Sequence, residues 1–273
     1  MKKLGLIALA FFLAILPTGA FTVSGGRECT SLGGAWNYIV DPMDTGIYKY
    51  HMTLQKPHKR FFADRHFYAD KTKLVEYDFD MAPTLQVPGD WNTQSERLYY
   101  YEGSVWYRRK IDFHKVPGYR TFIYFSAVNY KCMVGLNNVI LGEHKGGFTP
   151  FSFEVTEQLK EGENSLVVWV NNTRGVSEVP TLNYDWWNYG GITRDVLLVS
   201  VPEVFIRDWR MHFDGKEVSF DVFLDGGKGS VGVEIPELGV KTKACAGKDG
   251  VAHLKAKVRP ELWSPDNTIL FIE

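Results

Sequence analysis

The sequence has few cysteines, almost no net charge and, after its first residues, no long hydrophobic run. The chain of 273 residues has three cysteines, Cys29, Cys132 and Cys245. Because their number is odd and their spacing is irregular, the sequence does not indicate a pattern of disulfide bonds. There is no CxxC pair and no paired-histidine spacing suited to zinc, and we predict no metal site. The formal net charge is -1, and no lysine or arginine run is interleaved with aromatic residues. We therefore expect no nucleic-acid partner.

The first segment is the exception to the missing hydrophobic runs. Lys2 and Lys3 precede an apolar stretch from Leu4 to Leu16, and small residues follow up to Ala20. The stretch is too short to cross a bilayer core of about 30 Å as a helix, so an uncleaved membrane anchor is the weaker alternative. We expect residues 1–20 to be a signal peptide cleaved near Ala20. The mature chain is then exported, to the periplasm or the medium, without a membrane partner.

What the sequence does contain is hydrophobicity with a period of two. Residues 105–113 alternate between two faces, and residues 122–128 and 166–170 are rich in aromatic and β-branched side chains. Glycine and asparagine separate these runs, as turns require, and helical periodicity is almost absent. Trp91, Trp106 and Cys132 are interpreted as core residues. The pattern predicts an all-β protein of the jelly-roll or sandwich type.

A domain boundary is expected near Val201. Before it aromatic residues are dense, and after it residues 218–224 and 253–258 alternate more regularly. We predict a jelly-roll, galactose-binding-like domain over residues 29–201 and a small immunoglobulin-like β-sandwich over residues 202–273. The chain stops at Glu273 inside an apparent strand, which would leave a sheet edge unpaired, so we expect the second domain to be truncated.

Six segments, taken in order, carry a resemblance to glycoside hydrolase family 2, which comprises β-galactosidases, β-glucuronidases and β-mannosidases. They are residues 32–36 (LGGAW), 87–92 (VPGDWN), 101–109 (YEGSVWYRR), 142–151 (GEHKGGFTPF), 190–196 (GGITRDV) and 262–267 (LWSPDN). The match implies a sugar-binding jelly roll followed by an immunoglobulin-like domain. The chain departs from the family at residues 268–271 (TILF), where members often carry Pro and then Leu-Tyr, and the family's catalytic (β/α)₈ barrel would follow Glu273.

The resemblance implies a pair of catalytic carboxyl groups, and this sequence shows no barrel strands that could carry them. Retaining glycosidases need two carboxyl groups about 5–5.5 Å apart, and in a barrel these lie at the ends of strands. The chain has 32 aspartates and glutamates but no βα repeat. We therefore assign no catalytic nucleophile and no general acid. The resemblance implies no organic cofactor and, as a possible partner, a catalytic barrel domain or an oligomer partner.

One aromatic segment with a single carboxylate, residues 183–191 (NYDWWNYGG), is the candidate sugar contact. A carboxylate accepts hydrogen bonds from sugar hydroxyls, and aromatic faces pack on pyranose rings. By resemblance, Asp185 would reach into the active site of the barrel, and we predict substrate contacts for Asp185, Trp186, Trp187 and Asn188. The alternative for Asp185 is a carboxylate that caps its own loop. The adjacent tryptophans should point in opposite directions, one of them toward the core.

Three functions remain open from the sequence. The favoured one is the non-catalytic front part of an exported retaining glycosidase that acts on terminal β-linked sugars. Residues 188–189 (NY) favour the β-glucuronidase type slightly over the β-galactosidase type. The second is a stand-alone carbohydrate-binding module, and the third is a structural sandwich that pairs with a separate catalytic chain.

Overall fold

The computed structural model describes residues 27–46, 72 and 78–262. The chain divides into two compact units, Glu28–Ser200 and the part from Val201 onward, to which Arg27 also belongs. We refer to them as the jelly-roll domain and the second domain. The predicted signal peptide and the chain end from residue 263 lie outside the described residues. Within the described part, no helix is long and apolar enough to cross a membrane.

The jelly-roll domain is built from two antiparallel sheets and a short ribbon, which confirms the all-β prediction. The six-stranded sheet has the order β3-β2-β5-β10-β7-β8, the four-stranded sheet β1-β12-β6-β9, and the ribbon pairs β4 with β11. The strands are β1 (Glu28–Ser31), β2 (Gly34–Asp41), β3 (Thr84–Val87), β4 (Gly89–Asp90), β5 (Ser104–Phe113), β6 (Tyr119–Phe125), β7 (Lys131–Leu136), β8 (Val139–Lys145), β9 (Phe151–Glu154), β10 (Gly162–Asn171), β11 (Gly191–Ile192) and β12 (Val196–Pro202).

The main core lies between the two sheets and follows the period-two pattern. The six-stranded sheet contributes Tyr107 and Val168, which are paired across β5 and β10, and the four-stranded sheet contributes Ile123 and Val196. Trp91, Trp106 and Cys132 are each at most 1% exposed, so their core placement is confirmed. Apolar side chains that leave water on both sheets supply the main stabilisation of this domain.

The opposite face of the six-stranded sheet is also covered at its centre. Trp106 and Met133 pack there under Phe79, which belongs to a 3₁₀ turn at Phe79–Met81. Arg108, 2% exposed, lies beside this cluster and donates to Asp80 at 2.6 Å and to Asn37 at 3.2 Å. A buried guanidinium needs such partners, because an unpaired charge in this layer would be strongly destabilising.

The second domain is a smaller sandwich with its own core. A three-stranded sheet has the order β13-β14-β17 and a two-stranded sheet pairs β15 with β16. Its strands are β13 (Phe205–Phe213), β14 (Glu217–Asp225), β15 (Ser230–Ile235), β16 (Val240–Cys245) and β17 (Val251–Lys257). Val218, Phe220 and Val222 face the core together with Leu254, as their alternation predicts. The three cysteines are free thiols.

Candidate functional site

The site is built on a loop whose two ends are held side by side. The loop, residues 173–187, runs between Asn172 at the end of β10 and Asn188 before β11 and is called the site loop below. The Asn172 side-chain amide donates to the Asn188 carbonyl, and the Asn188 side-chain amide donates to the Asn172 carbonyl, each at 2.5 Å. The residues are 0% and 3% exposed. A loop closed at its neck in this way is an Ω-loop, a type that frequently carries function.

A third asparagine joins this neck to the rest of the sandwich. Asn129, which precedes β7, donates from its side-chain amide to the Asn188 Oδ1 at 2.8 Å and to the Tyr189 carbonyl at 2.6 Å. Its backbone exchanges two hydrogen bonds with Gly191. Both ends of the Asn188 side chain are thus used inside the protein. Buried amides satisfied in this way hold one geometry, because any other leaves a polar group unpaired.

A fourth asparagine connects the neck to the segment that leads into β5. Asn92, 1% exposed, lies on the short helix α1 (Trp91–Gln94). Its Oδ1 accepts from the Gly190 amide at 3.0 Å. Its Nδ2 donates to the carbonyls of Leu98, Tyr99 and Tyr101 at 2.9, 3.2 and 3.0 Å. The buried Asn92 side chain therefore holds residues 98–101 and the segment that follows the site loop in a fixed relation.

An ion pair fastens the first half of the site loop. Arg174 binds Glu102 with its Nε at 3.1 Å and its Nη2 at 2.7 Å from the two carboxylate oxygens. Its Nη1 also donates to the Tyr184 carbonyl at 3.4 Å. The two charged side chains are 23% and 21% exposed. A bidentate arginine adds geometric specificity, and here it links residue 174 to residue 184 within the loop.

A second ionic contact fastens the middle of the loop. The Glu178 carboxylate, 13% exposed, lies 2.6 Å from the Lys131 Nζ and 2.7 Å from the Lys145 Nζ. Desolvation by burial would raise the pKa of Glu178, but the hydrogen bonds and charges of the two lysines outweigh it and hold that pKa below its ordinary value. The same carboxylate raises the pKa of Lys145. We call this contact the Glu178 bridge.

The Glu178 bridge should stabilise the domain at neutral pH and not in acid. Because the folded state lowers the pKa of Glu178, its contribution is present above the ordinary value of about 4.3 and is lost as the pH falls through the folded value. We expect Glu178→Gln to lower the melting temperature by on the order of 2 °C at pH 7 and by less below pH 4. Glu157→Gln, which alters an exposed glutamate of the same domain, is the control and should leave the melting temperature at pH 7 close to that of the wild type. A difference that stays constant from pH 7 to pH 3 would contradict the assignment.

The structure leaves Asp185 open to solvent near the second end of the site loop. Asp185 is exposed, and its carboxylate makes no hydrogen bond or ion pair with the described residues. The alternative in which it caps its own loop is therefore not observed. The neighbouring Trp186 is 51% exposed and contacts the Tyr184 ring at 3.8 Å between centroids. A carboxylate beside exposed aromatic rings is an arrangement that sugars can use.

The two tryptophans point in different directions, but neither joins the core. Trp187 is partly buried and meets the edge of Tyr100 at 5.4 Å, whereas Trp186 faces solvent. Asn188 needs a correction, since its side-chain amide is buried in the neck with both ends bonded to the protein. We assign it a positioning role in place of a direct sugar contact. Substrate contact by Asp185, Trp186 and Trp187 stays a prediction.

Sequence reasoning missed the asparagines that hold the site. Asn92 ends the segment of residues 87–92 that resembles the family, but nothing in its spacing indicates a link to Gly190, 98 residues away. Asn171 and Thr173 form an Asn-x-Thr pattern that could signal glycosylation. Asn171 is 9% exposed and its amide donates to the Ser104 hydroxyl, so the pattern is explained by structure. The signal available in the sequence was a pair of asparagines at the end of β10, Asn171 and Asn172, with a third asparagine at residue 188.

The described residues provide a surface for binding and no metal centre. No group of three or more metal-ligating side chains comes together among them. Their one α-helix is the four-residue α1, so the described part contains no (β/α)₈ barrel. The site can accept hydrogen bonds through a carboxylate and pack rings against exposed aromatic faces.

Comparisons with known proteins agree with this architecture. A β-glucuronidase of Bifidobacterium dentium in complex with coumarin-3-O-glucuronide superposes with a TM-score of 0.65 at 22% identity, over 85% of this chain and 42% of that one, which shows a shared fold. A β-galactosidase of Thermoanaerobacter pseudethanolicus is 30% identical over 188 residues, 61% of this chain and 25% of the relative. A β-glucuronidase of Sus scrofa is 25% identical over 238 residues, 74% of this chain and 34% of the relative.

The chain thus spans a quarter to a third of the length of these two curated relatives. The family model described as the sugar binding domain of glycosyl hydrolases family 2 matches residues 29–202, the stretch that folds as the jelly roll and carries the site loop. This chain belongs to glycosyl hydrolases family 2, and its jelly roll is the sugar binding domain of that family.

Proposed function

We propose that this chain is the sugar-binding front part of an exported family 2 glycosidase that removes terminal β-linked sugars of the β-glucuronide or β-galactoside type. In this proposal the chain does not itself break the glycosidic bond. It presents Asp185 to the terminal sugar, and a catalytic barrel supplies the two carboxyl groups that retaining hydrolysis requires. Lys2, Lys3 and the apolar stretch that follows them support the export part of the proposal. No organic cofactor enters the reaction.

The observation that carries the proposal is the state of Asp185. Its carboxylate is exposed and has no hydrogen-bond or ion-pair partner among the described residues, although the loop that bears it is held by a buried network at both ends. A carboxylate positioned by a rigid frame can accept hydrogen bonds from two sugar hydroxyls without first giving up bonds to the protein. Curated relatives of both sugar types support the reaction class.

The exposed aromatic rings supply the second element of recognition. The Tyr184 and Trp186 rings contact each other beside Asp185, and both are about half exposed. Pyranose rings have C–H faces that pack on aromatic rings, while their hydroxyls point to the side where a carboxylate can reach them. The pairing of a carboxylate with rings therefore favours a sugar over an apolar ligand.

The proposal predicts binding without turnover. Residues 21–273 should bind methyl β-D-glucuronide or methyl β-D-galactoside with a dissociation constant in the millimolar range, measured by saturation-transfer NMR. Asp185→Asn should weaken this binding by roughly tenfold, because charged hydrogen bonds are worth about 1.5–3 kcal/mol. The matched Asp112→Asn variant, an exposed aspartate on β5, should bind as the wild type does. The chain should not hydrolyse 4-nitrophenyl β-glucuronide or β-galactoside above background.

Two results would count against the proposal. Hydrolysis that persists through purification would show that the chain carries its own catalytic pair. Equal sugar binding by the wild type and by Asp185→Asn would show that the Asp185 carboxylate does not contribute to sugar binding. Export is tested separately, by N-terminal sequencing of the protein secreted by its host, where a mature terminus near residue 21 is expected.

A further inference from the structure

Arg174 reaches across the site loop and binds the peptide group that leads into Asp185. Its Nη1 donates to the Tyr184 carbonyl oxygen at 3.4 Å, ten positions further along the chain. That carbonyl and the Asp185 amide belong to one planar peptide unit, so a bond to the oxygen also restricts the rotation of the Asp185 nitrogen. The contact is long for a hydrogen bond, but its donor is charged. Arg174 thus connects the start of the site loop with the backbone of Asp185.

Glu102 holds the Arg174 guanidinium in one orientation. The Arg174 Nε donates to the Glu102 Oε2 at 3.1 Å, and the Nη2 lies 2.7 Å from the Glu102 Oε1. Two contacts from one planar group fix both its position and its plane, whereas a lysine would offer a single rotating point charge. The Oε1 atom is buried, so the charge of the guanidinium compensates its loss of water.

Glu102 itself lies between two residues whose backbone groups are bound to buried side chains. The Tyr101 carbonyl accepts from the Asn92 Nδ2 at 3.0 Å. The Gly103 amide donates to the Asn172 Oδ1 at 2.9 Å. The two asparagines are 1% and 0% exposed. The carboxylate that pairs with the arginine therefore belongs to the rigid part of the domain.

The backbone that Arg174 fixes carries both elements of the proposed sugar contact. The Tyr184 ring contacts the Trp186 ring with centroids 3.8 Å apart, and Asp185 lies between these two residues in the chain. The Asp185 side chain has no hydrogen-bond or ion-pair partner among the described residues, so its direction depends on its backbone. If this backbone rotated freely, sugar binding would have to restrict it at a cost in conformational entropy.

We infer that Arg174 is a positioning residue for sugar binding and that Glu102 is its anchor. The pair holds the peptide unit between Tyr184 and Asp185, so that the carboxylate meets the sugar hydroxyls in one orientation. Arg174 acts through Asp185 and makes no contact with the sugar. The inference rests on the proposed function and adds to it the side chains that set the affinity of the site.

The test measures sugar affinity by NMR titration of the full chain after residue 20 with methyl β-D-glucuronide and methyl β-D-galactoside. Arg174→Lys keeps the charge but not the planar fork, and it should weaken binding of the preferred glycoside by about threefold to tenfold, the range expected for one net hydrogen bond. Glu102→Gln should weaken binding in the same direction, because a neutral amide holds the guanidinium less strongly. In an Asp185→Asn background, Arg174→Lys should change the affinity by less than about twofold, because the carboxylate through which it acts is gone.

A second readout separates positioning from general stability. The Asp185 amide belongs to the peptide unit that Arg174 binds, and its order parameter can be measured by ¹⁵N relaxation without any sugar. We expect a value of about 0.85 in the wild type and a value below about 0.6 in Arg174→Lys. A lowered affinity in Arg174→Lys with an unchanged order parameter at Asp185 would contradict the positioning role.

Arg120→Lys is the matched control. Arg120 on β6 makes the same kind of two-point contact with Glu154, at 2.9 and 2.7 Å, and its side chain is 21% exposed against 23% for Arg174. This variant should change neither the sugar affinity nor the order of the Asp185 amide, and an equal effect in it would overturn the inference.

The outcomes also separate this inference from the proposed function. A wild type that binds the glycoside no better than Arg174→Lys does would overturn the positioning role alone. So would an equal loss from Arg174→Lys in the wild-type and Asp185→Asn backgrounds. Absence of sugar binding by the wild type would overturn the proposed function and this inference with it.

Discussion

Asn188→Ala is expected to destabilise the jelly-roll domain by about 2–4 kcal/mol and to release the site loop. The substitution removes the bond to the Asn172 carbonyl and the acceptor for the Asn129 amide, in a place where water does not replace them. Each buried polar group left without a partner costs about 1–3 kcal/mol. The melting temperature of the domain should fall by on the order of 10 °C. Thermal unfolding followed by circular dichroism measures this change.

Trypsin reports on the loop itself. Arg174 is the single lysine or arginine between residues 173 and 187, so cleavage at this bond measures how often the loop opens. We expect cleavage after Arg174 to accelerate in Asn188→Ala at temperatures where the domain is still folded. Asn183→Ala is the matched control, since Asn183 is an exposed asparagine of the same loop, and its stability should stay within about 0.5 kcal/mol of the wild type. A stable Asn188→Ala protein with an uncut loop would refute the role of the neck.

Gly190→Ala should have a comparable or larger effect, for a steric reason. A Cβ atom at residue 190 would lie 2.1 Å from the nearest carbon of the Trp91 ring and 2.7 Å from the Asn172 Cγ. Both neighbours are fully buried, so neither can move aside without disturbing the core or the neck. Overpacking of this kind typically costs 1–3 kcal/mol and here acts on two neighbours, so we expect a loss of about 3 kcal/mol.

Gly118→Ala separates this contact from backbone strain. Gly118 belongs to the same domain and has a φ of +78°, but nothing lies within 4 Å of its Cβ position. Alanine there should cost about 1 kcal/mol through the left-handed backbone alone. The free energy of unfolding from urea titration compares the two variants. A Gly190→Ala loss no larger than that of Gly118→Ala would show that Trp91 and Asn172 adjust to the extra carbon.

Much of the fold was predictable because burial on a sheet leaves a local trace. The alternation over residues 105–113 predicted a strand with two distinct faces, and Tyr107 and Ile111 lie on the face of β5 that packs in the main core. Trp106 was expected in the core, but the sequence did not indicate what covers the face of β5 on which it lies. The burial of Trp106 depends on the segment around Phe79, which folds over the sheet from 27 residues earlier and leaves no periodic signal at Trp106.

The location of the candidate site was predicted from the sequence and stays a prediction, whereas the side chains that support it in the fold were not predicted. Residues 185–187 stood out because a single carboxylate lies among aromatic residues, and such local composition is visible in one sequence. Asn92 and Asn129 act through contacts with residues 59 to 98 positions away. Asparagine is common in turns, so neither residue differs in the sequence from an ordinary turn former. Asn188 was predicted as a sugar contact because it lies in the same aromatic segment, and nothing in the sequence indicates the buried hydrogen bonds that its side chain makes.

The asparagine neck and the ionic contacts of the site loop respond differently to pH and ionic strength. The neck consists of neutral amide groups, whose hydrogen bonds do not titrate and are little affected by salt, whereas the middle of the loop depends on charged side chains. High ionic strength should therefore loosen the loop at both ionic contacts, and acid should loosen it at the Glu178 bridge, while residues 188–191 keep their place. A change of acidity would therefore leave the base of the site loop in place and reduce order only in its middle.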